Sequence, residues 1–298
     1  MKNICKIAVL LAAVLMLFCV TGCGDNASGT PAEPPFVANE TPLTLEAVQA
    51  GTITLTNPWS TLKYKKNGSD FVNVTASGNP PEATITVAAG DKVAFYANGS
   101  ENTVNTNTRF HIGCNSDCFV YGNVMSLLSL SNFENATSIS TEYALAHLFD
   151  GNAHIKNHTQ KALVLPATTL ANGCYWVMFQ CCSGLTSAPA LPATTLVDLC
   201  YCGMFSGCSS LTSAPVLPAT ALAAVCYSGM FNGCTSLSSV TCLAENISAT
   251  DCTTNWLSGV ASTGTFTKAA SMDDWQTNSA SINNGIPAGW TVQNYSAQ

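Results

Sequence analysis

Between Thr159 and Ser236 the chain repeats one message three times, at a spacing of 26 residues. The second copy reads LTSAPALPATTLVDLCYCGMFSGCSS from Leu185 and the third LTSAPVLPATALAAVCYSGMFNGCTS from Leu211. The first copy, from Thr159, keeps the centre, VLPATTLANGCYWVMFQCCSG. A period of this length marks units that cannot bury an apolar face alone and are completed by stacking on their neighbours. Such an array presents a surface more readily than it builds a catalytic pocket.

Each unit reads as one short strand and one short helix. Pro192-Ala193-Thr194-Thr195 supplies a helix start with Thr as cap, and Leu196, Cys200 and Met204 recur at four-residue steps. Gly207 stops the run, and Leu211-Thr212-Ser213-Ala214 opens the next unit in extended form. The equivalent faces are Leu170, Cys174, Met178 and Leu222, Cys226, Met230. Strands stack at about 4.8 Å and helices at about 8–10 Å, so an α/β array of this kind curves with its strand side inward. Pro189 and Pro215 interrupt ladder bonding, so the strands must be very short.

The flanks are different. Lys2 and Lys6 precede the apolar run Ile7–Val20, and Val20-Thr21-Gly22-Cys23 resembles a bacterial lipobox. That resemblance implies a lipoprotein signal over residues 1–22 and a lipidated Cys23, because the apolar run is too short to span a bilayer well. Residues 23–41 read as a flexible tether. Residues 42–130 show alternating runs, Thr52–Leu55, Ala83–Val87 and Lys92–Tyr96, separated by turn pairs such as Asn67-Gly68 and Asn98-Gly99. This predicts an all-β, sandwich-like domain. Residues 131–260 hold the array, opened by a degenerate unit around Leu148-Phe149-Asp150-Gly151 that is four residues longer than the rest. Residues 261–298 are expected to leave the period as a β cap closed by Trp275 and Trp290.

The unit LPATTLxxxCYxGMFxGCTSLTSAP resembles the BspA-like, Treponema-type leucine-rich repeat of Bacteroidales surface lipoproteins. Ala88-Ala89-Gly90-Asp91-Lys92-Val93 resembles the opening domain of that family, and Gly285-Ile286-Pro287-Ala288-Gly289-Trp290 its closing cap. The resemblance implies an α/β leucine-rich-repeat-type solenoid, with a short strand plus a short helix per unit, preceded by the all-β domain. It also implies an outer-membrane, lipid-anchored, surface-exposed protein that in some members acts as an adhesin for host matrix proteins or other bacteria. About three good units are present, fewer than in longer members.

Charge narrows the function. The formal net charge is −7, and loss of Lys2 and Lys6 with a leader makes it more negative. An acidic chain without a basic cluster is a poor partner for nucleic acid. Lys63, Lys65 and Lys66 beside Asn67-Gly68 read as a solvated strand end. Between Thr159 and Ser236 the charged residues are Lys161 and Asp198 alone, too few for general acid–base chemistry. No catalytic motif, cofactor loop or metal signature appears, so catalytic, cofactor-binding and metal residues are none and the chain does not read as an enzyme.

The cysteines fall in phase, Cys174, Cys200, Cys226, Cys252 and Cys182, Cys208, Cys234, and read as core thiols. Cys114 and Cys118, in CNSDC, can form a local disulfide. His154 and His158 read as a surface insertion, and His111 beside Phe110 as structural.

The expected binding surface is the strand side, Thr186, Ser187, Thr212, Ser213, Ser238 and Ser239, an uncharged hydroxyl face suited to a protein or glycan on a host or bacterial surface. The protein would be a monomer that touches the membrane through its lipid alone. The alternatives are a surface-coat lipoprotein without a dedicated ligand, or a carbohydrate-capture accessory using exposed Trp59, Phe95 and Tyr96.

Overall fold

The computed structural model describes residues 36–97, 109–277 and 285–296. The leader over residues 1–22, Cys23, most of the tether and the Asn98-Gly99 pair lie outside the described residues.

The N-terminal block supplies β1 (Thr44–Ala47), β2 (Gly51–Thr56), β3 (Lys63–Lys66), β4 (Val72–Asn73), β5 (Glu82–Val87), β6 (Lys92–Tyr96), β7 (His111–Cys114) and β8 (Cys118–Asn123). Their alternation is the physical cause of their pairing. Ile53 and Leu55 of β2, and Val93 and Phe95 of β6, are fully buried, while intervening residues stay partly exposed. β2 lies between β5 and β7, all antiparallel. β1 lies between β6 and β8, and β6 carries the β3–β4 hairpin. That hairpin turns at Asn67 (φ +53°) and Gly68 (φ +73°), the two left-handed positions its tight turn demands.

The repeat region supplies β9 (Ile155–Asn157), β10 (Leu163–Val164), β11 (Ser213–Leu217), β12 (Ser239–Cys242), β13 (Gly264–Lys268), β14 (Gln276–Thr277), β15 (Gly285–Ile286) and β16 (Trp290–Asn294). β9 and β10 both pair in parallel with β8. Main-chain bonding therefore runs straight from the N-terminal block into the first coil, and one hydrophobic core spans both. β11, β12, β13 and β16 form a second, parallel sheet. Its register, Ser239↔Thr265↔Thr291, keeps the 26-residue spacing through the segment expected to leave it. Two short 3₁₀ turns, Val124–Leu127 and Phe133–Asn135, are the helical elements among the described residues.

The α/β leucine-rich-repeat-type solenoid is thus corrected: no α-helix occurs among the described residues, and the unit has no helical half. Where the four-residue steps of Leu196, Cys200 and Met204 suggest a helix, the chain instead makes a ribbon of consecutive turns. Cys200, Cys202, Met204, Ser206 and Cys208 each donate their N–H to the carbonyl three residues back. The alternate residues Leu199, Tyr201, Gly203, Phe205 and Gly207 donate sideways, to Ala224, Cys226, Ser228, Met230 and Asn232 of the next coil. The same alternation joins Gly173–Cys181 to Asp198–Ser206, and Val225–Gly233 to Thr250–Ser258.

Three physical reasons favour the ribbon. Every fourth residue has a positive φ, at Leu199, Gly203 and Gly207, at Val225, Gly229 and Gly233, and at Asp251, Asn255 and Gly259, a conformation no right-handed helix contains. A ten-residue helix would also strand about four donors and four acceptors at its ends, whereas here the neighbouring coil takes them. Finally, a step of four returns the chain to the same face, while a helix of 3.6 residues per turn drifts. The buried pairs Cys200–Tyr201 and Met204–Phe205, then Cys208, follow that step.

Stacking follows from the register. Phe149, Phe179, Phe205 and Phe231 form one column with ring centroids 5.5 to 5.8 Å apart and planes within 10°. Tyr175, Tyr201, Tyr227 and Trp256 form a second. The ribbon side of each coil is held main chain to main chain at close spacing, where helices would stand about 8–10 Å apart, so the mismatch expected to bend the array is absent. Trp275 stacks on Trp256 at 5.2 Å and closes the column.

Candidate binding face

The array brings the six predicted surface residues together. Thr186, Ser187, Thr212, Ser213, Ser238 and Ser239 are all exposed, in two columns one residue apart. The Thr212 N–H donates to the Thr186 carbonyl and the Ser238 N–H to the Thr212 carbonyl, at 3.3 and 3.0 Å. Ser213 pairs with Ser239, and the second column continues through Thr265 and Thr291. The period thus becomes a ladder of hydroxyls at strand spacing, and no ionic side chain occurs in either column as far as Ser239.

Asn157 anchors the ladder, a role with little trace in its sequence context. Its Oδ1 accepts from the N–H groups of Thr186 and Ser187 at 2.8 and 3.1 Å, and its Nδ2 donates to the Ser187 carbonyl at 3.0 Å. A side chain from the first coil thereby replaces the main-chain rung that β9 would otherwise supply. The Thr186 and Thr212 hydroxyls turn inward, to Asn157 Oδ1 and the Thr186 carbonyl. The serine hydroxyls of the ladder are more available to a ligand.

Two clefts lie beside the ladder. The larger, about 720 Å³, is lined by Asn157 to Pro166, by Ser187 to Ala190 and by Pro192. The smaller, about 400 Å³, lies between Ala188–Pro192 and Pro215–Pro218. Lys161, at the rim of the larger, is ion-paired with Glu46 at 3.0 Å and sits over the Tyr121 ring at 4.5 Å. Burial works to raise the Glu46 carboxyl, but hydrogen bonds from Lys161 and Tyr121 outweigh it and hold the group below its usual value. His158 packs edge-on against Phe119 and Tyr121, and its Nδ1 accepts from the N–H groups of Gln160 and Lys161. Burial, then the Lys161 charge, pushes its pKa down, so the ring is neutral at pH 7.

The remaining predicted residues serve other purposes. His154 bonds Asp117 at 3.0 Å, away from the contacts of His158, so the two histidines share no site. His111 Nε2 bonds the Asp150 carbonyl. Cys114 and Cys118 are free thiols in this structure. A hydrogen bond from Cys118 holds the Cys114 thiol below its ordinary value, and the same bond with burial pushes Cys118 up. Both in-phase cysteine sets are buried. Burial pushes Cys174 and Cys234 up to about 12, the protonated state of a core thiol. Among the described residues no group of three His, Cys, Asp or Glu side chains is arranged to hold a metal ion. Trp59 and Phe95 are buried and Tyr96 is half-buried against Phe71 and Phe133, so the three form no exposed carbohydrate platform.

Comparison of the chain with protein-family models, with curated proteins and with solved structures gave no match in any of the three.

Proposed function

We propose that the chain is a recognition protein, tethered to the outer membrane through lipid on Cys23 and displayed at the cell surface, which binds a protein or glycan with its ladder face. The observation that carries this reading is the ladder itself: six hydroxyl residues from successive coils, in register, exposed and without charge. A repeated neutral surface of this kind binds by hydrogen bonding and shape, with little electrostatic steering. The tether and anchor rest on the Val20-Thr21-Gly22-Cys23 sequence, and the adhesive role on the resemblance of the repeat unit to surface lipoproteins.

The test is a binding screen of the full-length chain against extracellular matrix proteins and glycans, with the double variant Thr212→Arg/Ser239→Arg as control. Two arginines in adjoining columns should lower affinity by about tenfold or more while leaving the fold intact, because both positions are exposed. Affinity should change by less than about threefold between low and physiological salt. Unchanged binding by the double variant, or a steep salt dependence, would contradict the proposal.

A further inference from the structure

The clefts arise from the prolines of the repeat. Leu165, Leu191 and Leu217 hold equivalent buried positions at 2%, 3% and 0% exposure. Ala188–Pro192 therefore occupies the place of a strand between β10, the last strand of one sheet, and β11, the first of the other. Yet among the described residues no main-chain hydrogen bond ties Ala188–Pro192 to either. The reason is in the sequence: Pro166, Pro189, Pro192, Pro215 and Pro218 lack the N–H that a ladder needs. The break leaves main-chain groups, the N–H groups of Ala188 and Ala190 among them, without main-chain partners among the described residues.

Ala188, Ala190 and Pro192 line both clefts, so this segment is the wall they share, and the slot is that segment with a cleft on each side. Its walls are small and apolar, with amide and hydroxyl groups at the Asn157–Gln160 end. Among the described residues Lys161 is the one ionic lining side chain, and Glu46 neutralises it. An acidic or basic occupant would lose hydration without gaining a counter-charge. Among the described residues no Trp, Tyr or Phe lines either cleft, so a sugar ring finds no stacking partner there. What the slot does offer is an interrupted sheet edge with shallow apolar pockets on either side, the requirements of strand addition.

We infer that this slot is a strand-addition site for an extended, uncharged peptide segment of a partner protein. The run Leu163–Pro166 accommodates about four residues at ~3.3 Å each. This deepens the recognition reading above and rests on it: the ladder would provide the outer contact surface and the slot the peptide specificity.

A random linear peptide library displayed on phage, selected on the full-length chain, tests it. Enriched peptides should share an uncharged segment with apolar residues at alternate positions. Ala190→Arg, at an exposed position shared by both clefts, should weaken a selected peptide by about tenfold or more. Ala190→Cys guards against misfolding, since it should bind normally until a bulky maleimide is attached. Wild-type protein treated alike controls for the exposed Cys181. Peptides blocked by Thr212→Arg/Ser239→Arg but not by either blocked Ala190 variant would overturn the slot and leave the ladder standing. Enrichment of charged peptides, or no enrichment above an empty carrier, would overturn the slot as well. Loss of ligand binding in neither set of variants would overturn both readings.

Discussion

Tyr201 places an unsatisfied hydroxyl in the middle of the core, and its removal should stabilise the protein. The residue is 1% exposed, its ring lies between Tyr175 at 5.7 Å and Tyr227 at 6.1 Å, and its hydroxyl has no hydrogen-bond partner among the described residues. A buried hydroxyl left unpaired costs about 1–3 kcal/mol relative to water. Tyr201→Phe keeps the ring, the stacking geometry and nearly all the volume, and deletes that cost. The variant should therefore gain about 1 kcal/mol or more, the lower end allowing for relaxation around the vacated space. For a cooperative unit of this size that corresponds to a rise of about 2–4 °C in midpoint. Tyr175→Phe should act in the same direction, since its hydroxyl is unpaired too. The double variant need not be additive, because the rings touch. Urea unfolding followed by tryptophan fluorescence measures the change, with an unaltered slope required for the comparison. A loss of about 1 kcal/mol or more on Tyr201→Phe would show that the hydroxyl has a partner, such as a buried water, and would refute the argument.

Four further outcomes are expected. Phe205→Ala, in the column between Phe179 and Phe231, should cost about 3–5 kcal/mol in the same unfolding assay, whereas Thr212→Ala on the exposed ladder should change stability by no more than about 0.5 kcal/mol. Gly229→Ala meets nothing within 4 Å and pays only for its φ of +60°, about 1 kcal/mol; Gly203→Ala, with nearly the same φ, also meets Val177 Cγ1 at 2.8 Å and should lose about 1–3 kcal/mol more. Among the described cysteines, maleimide at pH 7 should label exposed Cys181 in the folded protein, while Cys174, Cys234 and Cys242, pushed up to about 12 by burial, should react only after unfolding, as mass spectrometry of the labelled peptides would show. Hydrogen bonds from Lys66, the Ala88 N–H and Asn67 depress Asp91 to about 2, so its contribution is present above the unfolded value near 3.8 and lost as pH falls through 2; acid titration of stability should be flatter over that window in Asp91→Asn.

The period made the stacking, the phase of the buried cysteines and the positions of the exposed hydroxyls legible, because all three depend only on residues recurring at 26. Alternation did the same for β2, β5 and β6. The expected helix fails for a specific reason: steps of four between apolar residues fit a helix over two turns as well as they fit a turn ribbon. What separated the two was the set of left-handed positions. Glycines at 203, 207, 229 and 233 hinted at it, but Val177, Leu199 and Val225 occupy equivalent places with φ between +47° and +62°, and a side chain there conceals the requirement. The lateral hydrogen bonds could not be read at all, since a donor that serves the next coil leaves no mark on its own sequence. The slot was half visible. Its prolines are apparent as breaks in a ladder, but that the break opens into a cleft depends on how neighbouring coils lie, which the sequence of one unit does not record.

The turn ribbon also sets where such a chain can change its length. Successive ribbons stay aligned bond for bond whether the spacing is 30 residues, as from Phe149 to Phe179, or 26, as from Phe179 to Phe205. The extra four residues, and the one-residue shift between Ser213 and Val216, are both absorbed on the opposite edge. One edge thus behaves as a fixed ruler and the other as its adjustable margin. A residue added or removed on the margin, where the ladder and slot lie, would therefore leave undisturbed the part that keeps the coils in step.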